Sequence, residues 1–294
     1  MSQQPQTQTP PLRWPAEALW EAIAPQWPSF SVEVLPRIDS SNSELMRRAR
    51  AGQCEPILLV AEQQTAGRGR LGRQWLGQLG DSLLFSLGLP LAPQDWSGLS
   101  LAVGVSVAES LQAVLPPLGS GQPRLCLKWP NDLWLCDGRS DRKLGGILVE
   151  TANFVPMQTD ARHPTRPAAT RYVVIGIGLN LRPQDSTGLS LPAACLQEIH
   201  AEMDAPGALL QVVPALVAML QSFEAYGFAP IQARFEVRDA LQNRSVVLSD
   251  GQTGSAHGVG EDGALRVMTT QGMQHITSAE VSVRPAYAAA TLSI

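Results

Sequence analysis

An apolar strand that runs directly into a glycine- and arginine-rich segment is the feature that most limits how this chain can fold. Residues 56–61 read Pro-Ile-Leu-Leu-Val-Ala, and residues 67–75 read Gly-Arg-Gly-Arg-Leu-Gly-Arg-Gln-Trp. The apolar run predicts a buried strand. Glycines let the backbone approach a ligand closely, and arginines offer a fixed fork of donors that suits phosphate and carboxylate oxygens. The segment therefore predicts a loop that binds a small anionic group at the end of a strand.

Residues 67–72 also match the G-x-G-x-x-G pattern of dinucleotide-binding folds. That pattern requires a helix that opens at its second glycine, but residues 74–80 contain two more glycines and show no helical period. The P-loop pattern G-x-x-x-x-G-K-[ST] does not occur in the sequence. A surface turn with solvated arginines stays open as the alternative for this segment taken alone.

Composition narrows the class of protein. The 294 residues carry a net charge of -4, which argues against a nucleic-acid binder. No apolar run is expected to span a bilayer, and the first eleven residues lack the regions of a signal peptide, so we expect a cytoplasmic protein with no membrane partner. The four cysteines and four histidines show no zinc-binding spacing. Any metal should be a hard cation that arrives with phosphates, as magnesium does.

The pattern of apolar residues and turns predicts a mixed arrangement of helices and strands. We expect strands at 31–35, 56–61, 83–89, 124–128, 132–136, 145–150 and 171–177. Helices are expected at 16–23, from about 44, at 96–115 and over 207–240, and residues 151–170 should form a mobile loop within a hairpin. Beyond residue 240, short strands at 245–248, 253–259, 264–267, 274–277 and 281–283 predict a small β-barrel.

Three further segments carry side chains suited to nucleotide chemistry. Residues 128–134 read Lys-Trp-Pro-Asn-Asp-Leu-Trp, which sets a lysine, an amide and a carboxylate around one tight turn. A magnesium–nucleotide reaction needs a carboxylate for the metal or a proton and a lysine for developing charge. Residues 142–150, Arg-Lys-Leu-Gly-Gly-Ile-Leu-Val-Glu, place a lysine before two glycines, and residues 172–181 form an apolar strand that carries the isolated Asn180. An ordinary β-turn and a strand-end turn remain the alternatives for the first and last of these segments.

Taken together, these segments resemble the biotin protein ligase family, in the form without a DNA-binding domain. GRGRxGRxW, KWPND, KLGGILVE and GIGxN stand in the family's order, and the similarity spans roughly residues 31–286. The resemblance implies an α+β fold of the biotin/lipoate ligase, class II synthetase-like type. A mixed β-sheet catalytic domain would be flanked by helices and followed by a small C-terminal SH3-like β-barrel. The implied divisions are a tail and short helix at 1–30, a biotin- and ATP-binding domain at 31–240 and the SH3-like domain at 241–288.

The resemblance also implies an activity: an ATP-dependent, AMP-forming biotin–[biotin carboxyl-carrier protein] ligase. Such an enzyme activates biotin with ATP to biotinyl-5'-AMP and passes the biotinyl group to one lysine of a carrier protein domain in a biotin-dependent carboxylase. ATP and Mg²⁺ are the implied co-substrate and metal, and a homodimer is possible. About 30 residues precede the first expected strand, too few for a helix-turn-helix, so no DNA partner is expected.

Residue roles follow from the same resemblance. The implied biotin-binding residues are Ser40, Ser41, Asn42, Gln64, Arg68, Gly69, Arg70 and Lys143. The implied ATP-binding residues are Arg70, Arg73, Trp75, Asn131 and Asn180, with Asn180 on the adenine. The implied catalytic residues are Lys143, Arg70, Asp132 and Lys128, and Asp132 is also the implied metal ligand.

Two other functions stay open at this stage. A lipoate–protein ligase shares the fold and the adenylate chemistry, and pocket depth cannot be read from sequence. A catalytically idle biotin-sensing or partner-binding protein is the second alternative. For Ser40, Ser41 and Asn42, capping of the helix that follows is the simpler interpretation of the residues by themselves.

Overall fold

In the computed structural model, residues 12–75, 77, 79–153, 170–183, 193–277 and 283–285 are described. Helices α1 to α5 comprise Ala16–Ile23, Ser41–Arg50, Leu99–Leu111, Ala205–Tyr226 and Gln232–Glu236. Strands β1 to β12 comprise Ser31–Leu35, Ile57–Ala61, Ser82–Leu91, Arg124–Lys128, Asp132–Cys136, Asp141–Asn153, Arg171–Asn180, Ser245–Leu248, Thr253–Val259, Leu265–Thr269, Gly272–Ile276 and Val283–Pro285. The predicted tail at 1–11, most of the predicted loop at 151–170 and the start of the last predicted strand lie outside the described residues.

A seven-stranded mixed sheet forms the larger part of the fold, in the order β1-β2-β3-β7-β6-β5-β4. The pair β1–β2 is parallel, and the other neighbouring pairs are antiparallel. Alternate residues of β7 face opposite sides, so Val174 packs with α2 while Ile175 belongs to the core that contains α3 and α4. Helices therefore cover both faces of the sheet. The predicted α+β fold, with a mixed sheet flanked by helices, is confirmed.

Helix α4 corrects one expectation from the sequence. Its 22 residues are long and apolar enough to cross a membrane by length and composition, so the statement that no segment is that apolar was wrong. The helix begins where Gly207 N–H donates to Asp204 Oδ1 at 2.8 Å. Its buried residues belong to the main core, where the helix packs against α3 and β3. The apolar composition of α4 is therefore explained by burial within the protein.

Several element boundaries differ from the sequence prediction. The helix expected at 96–115 spans only Leu99–Leu111. It ends at Gln112, whose φ of -147° is not helical and whose side-chain Oε1 accepts a hydrogen bond from Leu125 N–H at 2.7 Å, which ties the helix end to β4. The stretch expected at 207–240 is broken at Gly227, whose φ of 67° ends α4. Strands β6 and β7 are longer than expected because they pair with each other from Gly145 to Asn153.

The C-terminal strands form a second, antiparallel sheet in the order β11-β10-β9-β8-β12, consistent with a small barrel-like domain. The chain reaches this sheet along the free edge of β4, where Leu127 N–H donates to Arg238 O at 2.8 Å and Ala240 N–H donates to Leu127 O at 2.9 Å. Buried residues of this sheet, such as Val246 and Leu265, are continuous with the main core. The predicted domain boundary near residue 240 stays a prediction.

Candidate active site

A cavity of about 670 Å³ lies where the N-terminus of α2, the loop after β2, the β4–β5 turn and strands β6 and β7 meet. Every residue that the sequence suggested for the site lines it, namely Ser40, Ser41, Asn42, Gln64, Arg68, Gly69, Arg70, Arg73, Trp75, Lys128, Asn131, Asp132, Lys143 and Asn180. The fold thus brings together residues that are up to 140 positions apart in the chain. What each of them does remains a prediction.

The N-terminus of α2 forms one end of the cavity. Ser40 caps the helix, because its Oγ accepts a hydrogen bond from Ser43 N–H at 3.4 Å, so the capping interpretation is confirmed for this residue. Ser41 has another role: its N–H donates to Gln64 Oε1 at 2.8 Å, which joins the helix to the loop after β2. Capping alone therefore does not account for the polar run at the start of α2.

Asn42 makes a full set of contacts within the protein. Its Oδ1 accepts from Ser86 Oγ at 2.6 Å, and its Nδ2 donates to Leu148 O at 3.2 Å and Glu150 Oε2 at 3.0 Å. Gly176 makes room for this amide, since a Cβ there would lie 2.1 Å from Asn42 Oδ1. In this arrangement Asn42 joins α2 to the sheet.

Ser86 and Glu150 were missed as site residues in the sequence analysis. Ser86 is fully buried on β3 and also lies 2.7 Å from Ser41 Oγ. A single hydroxyl within the apolar run 83–89 was the available signal for Ser86. Glu150 ends the KLGGILVE segment, and its carboxylate pairs with Arg68 at 3.0 Å. Its partner could not be inferred because 82 residues separate the two side chains.

The glycine- and arginine-rich segment folds back on itself as a compact loop. Trp75 N–H donates to Gly67 O at 2.9 Å, and Gly69 N–H donates to Arg73 O at 2.8 Å. A Cβ at Gly67 would lie 2.5 Å from Trp75 O, so only glycine allows this close approach. Residues 70–72 form one short 3-10 turn in which Leu71 has a φ of 55°, and no α-helix opens there. This geometry agrees with the exclusion of a dinucleotide-binding fold.

Arg70 points from this loop into the cavity. Its Nη1 donates to Asn131 Oδ1 at 3.3 Å, which links the loop to the β4–β5 turn. Burial lowers the pKa of the guanidinium, and the charge of Asp132 opposes that shift. Arginine remains protonated in proteins, so the cavity holds a partly buried cation.

One carboxylate lies between two ammonium groups beside this arginine. Asp132 Oδ1 is 2.7 Å from Lys143 Nζ, and Asp132 Oδ2 is 3.8 Å from Lys128 Nζ. Burial lowers the pKa of Lys128, with Asp132 opposing the shift and Lys143 adding to it. The chain contains only two lysines, and both line the cavity. The site therefore combines excess positive charge with a single acid group.

A β-bulge sets the position of Lys143. Strand β5 pairs Leu133 with Gly145 but Trp134 with Lys143, so Leu144 is an extra residue in β6. Bulges of this kind re-aim the neighbouring side chain and are frequent beside active sites. The sequence analysis placed this lysine ahead of the strand, which was wrong because Lys143 lies within β6.

The glycines of the two strand motifs make room for the indole of Trp75. A Cβ at Gly178 would lie 2.6 Å from Trp75 Cε2, and one at Gly146 would lie 3.2 Å from Trp75 Cζ3. Lys143 Nζ lies 5.5 Å from the centroid of the same ring. Three sequence motifs therefore meet at one aromatic side chain.

Asn180 connects two backbone segments at the end of β7. Its Nδ2 donates to Ala194 O at 3.1 Å and to Lys143 O at 3.4 Å. Ala194 N–H in turn donates to Lys143 O at 2.8 Å. Asn180 thus holds residues 193–194 against the strand that carries Lys143, while its expected contact with adenine remains a prediction.

The donor set suits a magnesium ion that arrives with phosphates. Among the described residues, no cluster of three or more His, Cys, Asp or Glu side chains could hold a metal. Asp132 is the only carboxylate among the residues that line the cavity. Mg²⁺ usually keeps several waters and binds through one or two carboxylates together with substrate phosphates. Asp132 fits that pattern, provided that Lys143 Nζ moves away from Asp132 Oδ1.

Most of the remaining walls of the cavity are apolar, and they were not predicted as part of the site. They include Leu84, Phe85, Ile147, Leu148, Ile177, Val283 and Pro285. The last two belong to β12, so the C-terminal sheet reaches the site. An apolar cavity with a few convergent polar groups is the usual form of a small-molecule site.

Comparison with known proteins points to one family. The family model described as "Biotin/lipoate A/B protein ligase family" matches residues 34–159. The chain is 34% identical over 264 residues to the "Bifunctional ligase/repressor BirA" of Escherichia coli (strain K12), covering 87% of this chain and 75% of that protein. It is 30% identical over 257 residues to the "Biotin--[acetyl-CoA-carboxylase] ligase" of Paracoccus denitrificans, covering 84% of this chain and 98% of that protein.

A solved structure agrees with these sequence matches. The biotin protein ligase from Aquifex aeolicus in complex with biotin and ATP superposes with a TM-score of 0.68 at 28% identity. The superposition covers 87% of this chain and 99% of that chain. Most of this chain therefore shares its fold with a protein solved with two small ligands.

Proposed function

The chain belongs to the biotin/lipoate A/B protein ligase family as a biotin protein ligase, and from this premise we propose that it activates biotin with ATP and transfers it to a carrier protein. The relatives named biotin–[acetyl-CoA-carboxylase] ligase support this function, and so does the structural neighbour solved with biotin and ATP. The observation that carries the proposal is the placement of Arg70, Lys128 and Lys143 around one carboxylate, in a cavity with apolar walls.

The first step is adenylation. A carboxylate oxygen of biotin attacks the α-phosphorus of ATP, a new P–O bond forms, and pyrophosphate leaves with the bond electrons. Biotin and the triphosphate are both anions, so their approach requires cations between them, and Arg70 and Lys143 are placed for this task. One charge-assisted hydrogen bond contributes about 1.5 to 3 kcal/mol, so loss of either cation should slow adenylation by about 10- to 150-fold.

Asp132 is proposed to act in the transfer step. A lysine of the carrier has an ordinary pKa of about 10.4, so at neutral pH it arrives protonated. When Lys143 moves to the adenylate, the carboxylate of Asp132 loses its 2.7 Å partner and can accept a proton from the incoming amine. The neutral amine then attacks the carbonyl carbon, an amide forms, and AMP leaves. Magnesium, held by Asp132 and the phosphates, would neutralise charge on the triphosphate.

The biotin ring system is proposed to bind near α2. Gln64 Oε1 already accepts from Ser41 N–H, and among the described residues none accepts from Gln64 Nε2. Ser40 Oγ accepts from Ser43 N–H, which leaves the hydroxyl proton of Ser40 as a donor. The ureido carbonyl of biotin requires hydrogen-bond donors of this kind. The proposed role of Asn42 in biotin binding is indirect, because its contacts hold α2 on the sheet.

The test uses purified protein, radiolabelled biotin, ATP, magnesium and a purified biotin carboxyl carrier domain. Biotin-dependent ATP–pyrophosphate exchange reports adenylation, and label on the carrier reports transfer. We expect both reactions in the wild type and slower adenylation, and therefore less carrier label, in Lys143→Met. In Asp132→Asn we expect loss of transfer together with a smaller loss of exchange, because this carboxylate would also hold magnesium. Exchange that depends on lipoate and not biotin would establish the lipoate ligase instead. A thermal shift with biotin but no pyrophosphate release would establish the idle biotin-binding protein.

The finer assignments keep the status of proposals. The alignment covers nearly all of the Paracoccus ligase and three quarters of the ligase/repressor, and a ligase without the repressor function stays a prediction. Mg²⁺ dependence, a homodimer, a cytoplasmic location and the absence of DNA and membrane partners stay predictions.

A further inference from the structure

An ion pair beside the cavity attaches one wall of the site to the strand that carries Lys143. Arg142 Nη1 lies 2.9 Å from Glu198 Oε1, and Arg142 Nη2 lies 2.5 Å from Glu198 Oε2. The two side chains are only 22% and 28% exposed. This two-contact geometry fixes both position and orientation, unlike an ordinary surface pair.

Glu198 also organises the residues before it. Its Oε1 accepts from Cys195 N–H at 3.0 Å, and Gln197 N–H donates to Leu181 O at 3.1 Å. Burial opposes ionisation of Glu198, but Arg142 and the Cys195 N–H group lower its pKa overall. The carboxylate therefore stays charged and holds the short 3-10 turn Leu196–Glu198 in place.

The same segment contacts Lys143 through its backbone. Ala194 N–H donates to Lys143 O at 2.8 Å, and Ala193 pairs with Lys143 as an isolated parallel bridge and lines the cavity. Adjacent residues of β6 thus attach to one segment, Arg142 through its side chain and Lys143 through its main chain. Asn180 joins the same assembly through Ala194 O.

We propose that Arg142 and Glu198 are positioning residues that hold residues 193–198 against Lys143 and thereby shape the nucleotide side of the site. The inference rests on the proposed function for its kinetic consequence. Neither residue lines the cavity, so both would act through residues 193–198 and not by contact with a substrate. The biotin side, built from α2 and the loop after β2, makes no described contact with this ion pair. Loss of the pair should therefore affect ATP much more than biotin.

The kinetic test measures KM for ATP and for biotin in the exchange assay. Arg142→Ala should raise KM for ATP by about 5- to 30-fold and change KM for biotin less than about twofold. Glu198→Gln keeps an oxygen for Cys195 N–H but loses the charge, so its effect should be smaller. Arg142→Lys should restore part of the loss. Glu109→Gln is the matched control, because Glu109 pairs with Arg234 and neither residue lines the cavity.

A second measurement keeps the test independent of activity. Hydrogen exchange of the peptide covering residues 193–198, followed without ligand, should accelerate in Arg142→Ala and Glu198→Gln but not in Glu109→Gln. Unchanged exchange of this peptide, or equal changes in both KM values, would overturn the positioning role. A wild type without biotin-dependent pyrophosphate exchange would refute the proposed function instead, while the hydrogen-exchange result would still decide whether the ion pair holds the segment.

Discussion

Replacing Asp239 with asparagine should change how the stability of this protein depends on pH. Asp239 lies where the chain leaves the edge of β4 for the C-terminal sheet. Its Oδ1 accepts from Leu241 N–H at 2.8 Å, while its Oδ2 is buried and has no hydrogen-bond partner among the described residues. Burial raises the pKa of this carboxyl to about 6, the Leu241 N–H group opposes the shift, and the charge of Glu236 adds to it.

The size of the effect follows from the two pKa values. The carboxyl has a pKa of 3.8 in the unfolded chain and about 6 in the folded protein. Each unit corresponds to 1.36 kcal/mol, so ionised Asp239 destabilises the fold by about 3 kcal/mol. Because the folded state binds this proton more tightly, the stabilisation from protonated Asp239 is complete below pH 3.8 and is lost as pH rises through about 6. About 1.6 kcal/mol is already lost at pH 5, and about 1.4 kcal/mol more is lost by pH 8.

Urea denaturation followed by tryptophan fluorescence at pH 5, 6, 7 and 8 measures this difference. Asparagine keeps an oxygen for Leu241 N–H but cannot ionise. The free energy of unfolding of Asp239→Asn, relative to that of wild type, should therefore increase by about 1.4 kcal/mol from pH 5 to pH 8. Asp250→Asn, which removes an exposed carboxyl from a turn of the C-terminal sheet, is the control. A relative stability of Asp239→Asn that stays flat over this range would refute the reasoning.

Three further predictions concern the site. Because burial lowers the pKa of Lys128, its ammonium should lose its proton at a lower pH than that of an ordinary lysine. The rate of adenylation should decline as Lys128 loses this proton, and Lys128→Arg should extend activity to higher pH. Labelling with ¹⁵N-lysine yields only two side-chain NMR signals, and their pH titration measures both lysine pKa values. A Lys128 signal that titrates like free lysine would contradict the lowered pKa. Gly178→Ala should displace the Trp75 indole, because the alanine Cβ would lie 2.6 Å from Trp75 Cε2, and this should raise KM for ATP about tenfold. An unchanged KM for ATP would contradict a role of the Trp75 position in ATP binding. Glu150→Gln should weaken the contact to Arg68 and speed tryptic cleavage of the loop at residues 67–75 about two- to tenfold. Equal cleavage rates in the variant and the wild type would show that the Arg68–Glu150 ion pair does not restrain this loop.

Local patterns in the sequence predicted most elements of the fold because their causes are local. Strands β1, β4 and β5 have the bounds that alternation and turn residues indicate, and helix α1 matches its amphipathic run. The predicted ends of helices and strands were less accurate where they depend on contacts with distant residues. Helix α3 ends at Leu111, where the non-helical Gln112 bonds Leu125 through its side chain, a contact that no local pattern shows.

In the candidate site, too, local motifs were predicted from the sequence and contacts between distant residues were not. Its loop, turn and lysine were identified from motifs, and all of them line one cavity. Ser86 and Glu150 were missed because each acts through a partner far away in the chain. The β12 residues Val283 and Pro285 were missed because they enter the site only when the C-terminal sheet packs against the larger one.

The amino-acid sequence alone determined which chemical groups this protein can bring to a reaction and in which local conformations they stand, since glycine, proline and apolar periodicity act over a few residues. Tertiary structure decided which of those groups meet. The bulge at Leu144 aims Lys143 at Asp132, Asn42 is engaged in joining α2 to the sheet, and Glu198 reaches back to Arg142 across 56 residues. These contacts depend on strand register and packing, and only the complete fold satisfies them together.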